Sequence, residues 1–168
     1  MFGILISKIE TNFDSKGETK MFSNYGSNFA GIIQSCVSSA NWRAQQLDNT
    51  SATLGFQGKS GRAQTLFIAF NAPTVIFRIY AKVKFANENK IPLDLTGMLL
   101  RRNSLNLIGK WTLISPDNIS YIFSYVHAVN LKDIEPQLFQ DIVQTMILEC
   151  DEWENILNQS GYYVPNQM

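Results

Sequence analysis

The side chains best placed to do chemistry in this chain are one histidine, two cysteines and a dense group of acids near the C-terminus. His127 falls within an alternating segment, between Tyr125 and Val129, at a position expected on the core face. One imidazole cannot build a typical zinc site with two distant cysteines. No serine stands in the strand-to-helix elbow that would need it as a base. His127 therefore reads as structural. Cys36 and Cys150 each fall on the apolar face of an expected helix, where a free thiol packs as a small apolar group. A Cys150–His127 nucleophile and base is conceivable, but Glu149, Asp151 and Glu152 beside the thiol would raise its pKa, against reactivity. The acids Glu149, Asp151, Glu152 and Glu154 could hold a cation or exchange protons. No loop of calcium-binding spacing accompanies them, so they read as a solvated helix face. The string TLGFQGKS at 53–60 ends like a phosphate loop. It lacks the first glycine, and a strand-like run follows in place of the helix N-terminus that a phosphate requires. A hairpin turn is the better reading. These residues predict a protein that is not an enzyme, with no cofactor and no metal.

The elements that must position these groups follow from periodicity. Phe29, Ile32, Ile33, Cys36, Val37 and Ala40 share one face of a helix over 28–40, with Ser27 or Asn28 as its cap. Before it, 1–22 is uncertain: FGILISKIE is strand-like and TNFDSKGETK loop-like. Strand-like runs follow at 42–48, Ser51–Gln57, 62–70 and Thr74–Phe85, with Gly, Pro and Asn at the joints. They predict an antiparallel meander. In Thr74–Phe85, Val75, Phe77, Ile79, Ala81, Val83 and Phe85 alternate with Thr74, Ile76, Arg78, Tyr80, Lys82 and Lys84, the first set facing the core. Pro92 and Asp94 open a short helix carrying Leu95, Met98, Leu99 and Leu100. A hairpin of 107–115 and 119–129 comes next. Asp133 and Pro136 start a long helix whose stripe runs from Leu138 through Ile142, Met146, Cys150 and Trp153 to Leu157. The expectation is an α+β fold. An antiparallel sheet of about five to six strands is flanked by helices, in the order α-β-β-β(-β)-α-β-β-α. One domain covers 1–168, with its core at 28–158 and a loose polar tail at 160–168.

This arrangement brings the candidate site together on the outer side of the sheet. Ile76, Arg78, Tyr80 and Lys82 would share a face with Lys110, Ile122 and Val126, and with Lys84, Ile108 and Ile114. Aliphatic and basic residues mixed on an exposed sheet suit a partner or dimer surface; the alternative is a face covered by the N-terminal segment. Single-stranded nucleic acid would need several exposed aromatics there, and Tyr80 alone is too few.

Composition bounds the rest. A chain of 168 residues holds a sizeable core without disulfides or metal. Net charge is zero, yet 57–110 carries +7 and 111–168 carries −7. Such asymmetry marks an acidic or nucleic-acid partner, or basic and acidic parts that neutralise each other within a chain or across a dimer. No run is long enough to span a membrane and no leader is convincing, so the expected location is the cytoplasm.

The element order resembles that of the type III secretion chaperones and the bacterial YbjN-like family. The resemblance rests on a leucine-rich short helix ending near an Asn (LLRRNSLNL). It continues with Gly109-Lys110-Trp111 opening a strand, a polar turn at 115–118, an apolar strand and the long helix. It covers 28–158. The chain departs from the chaperones in its extra N-terminal stretch and in lacking their overall acidity. The resemblance implies a small dimer-forming module that binds segments of other proteins without catalysis, chaperone-like or regulatory. The alternative is a subunit or assembly factor docking through segregated charge.

Overall fold

Residues 18–161 are described by the structure, a computed structural model, with side chains from residue 28 onward. The chain forms helix α1 (Glu18–Ser39), strands β1 (Ala44–Leu47), β2 (Ser51–Gln57), β3 (Ala63–Asn71) and β4 (Thr74–Phe85), helix α2 (Leu93–Leu105), strands β5 (Lys110–Ile114) and β6 (Tyr121–Asn130), and helix α3 (Pro136–Gln159). The predicted α+β order is therefore the observed one. The expectations for 1–17 and 162–168 lie outside the described residues.

Helix α1 starts at Glu18, ahead of the expected cap, so Ser27 and Asn28 sit within the helix. The loop reading of 11–20 fails at its last three residues. The sequence explains the extension: Met21 and Tyr25 continue the four-residue spacing back from Phe29, and no proline intervenes. The helix ends where Asn41 takes a left-handed φ of 56°. Trp42 N–H then donates to Val37 O at 2.9 Å and Asn41 N–H to Ser38 O at 3.0 Å, which satisfies carbonyls that the last turn leaves open.

The six strands form one antiparallel sheet in the order β1-β2-β3-β4-β6-β5. The meander gives four neighbours in sequence, and the β5–β6 hairpin joins through β6 against β4. Alternation decides the two faces. Leu54, Leu66, Ile68, Val75, Phe77 and Ile79 are buried on one side. Helices α1 and α3 cover that side, the second with Phe139, Ile142, Val143, Met146, Cys150, Trp153 and Leu157. Each large apolar group so buried contributes about 1.5–3 kcal/mol before the entropy of ordering it. The β4–β6 register breaks between Tyr80 and Lys84. Phe85 nonetheless returns to the core, with its ring 5.7 Å from Phe123.

Helix α2 packs beside β5, burying Leu95 and Leu99. Leu93, Leu100, Leu105 and the following Leu107 stay exposed. The link from α2 to β5 needs a glycine. Gly109 has φ of 75°, and a Cβ there would lie 2.6 Å from the Tyr125 ring.

The acids of α3 correct the sequence reading. Of the four clustered between Glu149 and Glu154, Glu152 alone is exposed; Glu149, Asp151 and Glu154 are buried. Glu149 takes the Arg102 guanidinium at 2.7 and 2.8 Å and the Trp111 indole N–H at 2.8 Å. Asp151 accepts the Ser60 N–H at 3.0 Å and the Ser60 hydroxyl. Glu154 accepts Gln64 Nε2 at 2.9 Å. A helix face with partners on α2, β5 and the β2–β3 turn cannot be told from a solvated one by charge count alone.

Candidate functional site

The sheet face opposite α1 and α3 is not covered by any described helix. Antiparallel register sets its side chains in rows. Ile76 lies between Ala69 and Ala128, Arg78 between Phe67 and Val126, and Tyr80 beside Ser124. On the other side of β6, Val126 faces Lys110, and Ile122 faces Ile114. The structure thus brings together Ile76, Arg78, Tyr80, Lys110, Ile122 and Val126 as the alternation predicts.

Two expectations for this face do not hold. Lys82 falls inside the register break and is half-buried, and its charge acts on the Glu154 carboxylate of α3. Ile108 precedes β5 and packs against the core, its carbonyl accepting the Tyr125 hydroxyl. The helix-to-strand link turns at Gly109, so the strand starts three residues later than the sequence suggests.

The basic groups on this side are not equivalent. Lys84 pairs with Asp117 at 3.0 Å. Lys110 Nζ donates to the Asn103 and Asn106 carbonyls at 2.6 Å each, closing the end of α2. Arg78 has no carboxylate within ion-pair distance among the described residues. Its guanidinium carbon sits 5.8 Å from the Tyr80 ring centroid, and its Nε is buried without a hydrogen-bond partner. Cation–π attraction stabilises this pose. Tyr80 in turn meets Phe67 edge-on at 5.4 Å. Phe67, Ala69, Ile76, Arg78 and Tyr80 line a depression of about 130 Å³. Phe67 was missed from sequence, although β3 alternates as cleanly as β4 and puts Leu66 and Ile68 inside.

A second concavity lies where α3 meets β2. It is an apolar groove of about 240 Å³, lined by Trp42, Phe56, Val143, Ile147 and Leu148 with Gln57 and Gln144 at its rim. No ionisable side chain lines it. Val143 and Ile147 belong to the apolar stripe of α3 that periodicity indicates and are buried, whereas Trp42 and Phe56 are half-buried and Leu148 is exposed.

The groups suited to chemistry are held apart from both places. His127 Nδ1 accepts the Gly109 N–H at 3.1 Å, its ring lies 6.4 Å from Phe77, and burial pushes its pKa down. A neutral structural imidazole fits this setting. Both cysteines are free and buried. Burial pushes the Cys150 thiol well up, and the carboxylates of Glu154, Glu149 and Asp151 add to it. The TLGFQGKS string is the β2–β3 hairpin, closed by Gly58 N–H on Arg62 O at 2.8 Å. Among the described residues, no three metal-binding side chains gather, and no helix is long and apolar enough to cross a membrane.

No family pattern matches the sequence, and no curated protein matches it. Solved structures do share its fold. A chain of the HopA1–SchA chaperone–effector complex superposes with a TM-score of 0.57 and 8% identity, over 77% of this chain and 95% of that one. YbjN from E. coli, described as a candidate transcription regulator, does so with a TM-score of 0.55 and 14% identity, over 79% and 94%. The arrangement of helices and strands is thus the chaperone-like and YbjN-like one that the sequence resemblance indicated.

Proposed function

We propose that this chain is a non-catalytic protein-binding module that holds a segment of another polypeptide on the open face of its sheet. The carrying observation is the depression formed by Phe67, Ile76 and Tyr80 with the unpaired Arg78 at its edge. An apolar floor beside a half-buried guanidinium that has no carboxylate partner among the described residues suits a segment that offers an apolar side chain next to a carboxylate. The likeness in fold to a chain of a chaperone–effector complex supports a binding role of this kind. The module acts as a cytoplasmic homodimer in this reading. The exposed Leu93 and Leu100 of α2 supply the contact between copies.

The test starts with affinity purification from the native cell. The captured protein is then titrated against purified wild type, Phe67→Ala, Tyr80→Ala and Arg78→Ala. Each substitution should weaken binding by about tenfold or more while leaving the circular dichroism unchanged. Unchanged affinity in all three would overturn the reading. Sedimentation should give twice the chain mass at micromolar concentration; a strict monomer removes the dimer part.

Docking through segregated charge is the second reading. It is less favoured because Arg102, Lys84 and Lys110 are already engaged within the chain. Capture that disappears at high salt would restore it.

A further inference from the structure

The sheet has two outer strands, β1 and β5, and an outer strand offers a row of main-chain groups to any strand that approaches. β1 protects itself by being four residues long, with an irregular register against β2. β5 is regular, and its outward side is occupied in another way. Trp111 N–H donates to Asn103 Oδ1 at 2.7 Å, and Asn103 Nδ2 donates to Trp111 O at 2.9 Å. One carboxamide from the last turns of α2 thus supplies the acceptor and the donor that a residue of a neighbouring antiparallel strand would supply. The carboxamide is fixed in place, because Lys110 Nζ ties the Asn103 and Asn106 carbonyls to the start of β5.

Both main-chain groups of Trp111 therefore point away from β6, although Trp111 is in register with Tyr125. Two residues on, Leu113 points its N–H and C=O the same way. Among the described residues nothing pairs with them. Leu105 at the end of α2, Leu107 in the link to β5 and Leu113 on β5 itself are exposed. Two identical antiparallel edges are self-complementary about a two-fold axis. Pairing two β5 strands would also bury these leucines.

We propose that Asn103 is a strand mimic that shuts the β5 edge against pairing with β5 of a second copy of this chain. The surface fits that copy in shape and in apolar flanks, and one side chain keeps it closed. The proposal does not rest on the binding function above. The mass of the unaltered protein, whatever it is, serves as the baseline.

Amide hydrogen exchange on the unaltered protein tests the first half. The Trp111 amide should exchange at least about tenfold more slowly than that of Leu113, as a held bond requires. Equal rates would overturn the proposal, and this comparison decides the matter even if no variant folds. Sedimentation of Asn103→Ala tests the second half. A folded variant should form species of at least twice the baseline mass. Adding Leu113→Pro, which removes an outward N–H without touching the β6 ladder, should restore the baseline. A folded Asn103→Ala variant at baseline mass, or a larger species indifferent to Leu113→Pro, would overturn the idea.

Discussion

Two glutamates on one helix are set to opposite purposes. Burial works to raise the Glu149 pKa, but the bonds from Arg102 and Trp111 outweigh it and hold the pKa below the usual 4.5. Glu149 therefore stabilises the fold above the unfolded-state pKa, and that contribution is lost as pH falls through the folded value. Glu154 is the reverse case. Burial raises its pKa, offset in part by Lys82, Gln64 and Arg62, and one of its oxygens has no partner. Stability should fall as pH rises from about 4.5 through that raised value. Glu149→Gln is expected to cost about 3 kcal/mol at neutral pH, because it leaves Arg102 without its main counter-charge. Glu154→Gln should gain about 1 kcal/mol at neutral pH by removing a poorly compensated charge. Urea denaturation across pH 4–8 checks both, since Glu154→Gln should flatten the decline and Glu149→Gln should not.

At the scale of elements, α3 does two jobs with two faces. Its apolar stripe closes the core, while its acids fasten α2, β5 and the β2–β3 turn. Ile142 and Ile79 are fully buried, on α3 and β4. Ile142→Asp or Ile79→Asp buries an unpaired charge and should leave the chain unfolded, seen as loss of far-UV dichroism. Asp151→Ala should act locally. Losing the Ser60 bonds costs about 1–2 kcal/mol and should speed amide exchange in the 58–61 turn, with the centre of β4 still protected.

For the whole molecule, one face of the sheet is spent on stability and the other carries the proposed contact. Tyr80→Ala should therefore keep the unfolding midpoint within about 0.5 kcal/mol of wild type while weakening partner capture. An unfolded Tyr80→Ala variant would reverse the assignment of faces. The meander, both hairpins and the long helix were legible in the sequence, because each follows a clean period bounded by Gly, Pro or Asn. The rows of Ile76, Arg78 and Tyr80 were legible for the same reason. What was not legible needed contacts between distant residues. The burial of Glu149, Asp151 and Glu154 depends on Arg102, Ser60 and Gln64. The shift of Lys82 comes from a register break, which leaves no mark in composition. The +7 and −7 segments are likewise partly matched within the chain, through Arg102 on α2 and Glu149 on α3. The proposed dimer, held by leucines, should then keep its mass from low to high salt, as sedimentation at two ionic strengths would show.

The three tryptophans divide between two places. Trp111 and Trp153 lie with ring centroids 5.5 Å apart at the junction of β5 and α3, while Trp42 meets Phe56 edge-on at 5.1 Å in the apolar groove. The molecule thus carries two separate optical reporters. Exciton coupling in the near-ultraviolet follows the buried indole pair and vanishes only when the protein opens globally. Acrylamide quenching follows the half-exposed indole, and it will drop when something slides into the groove.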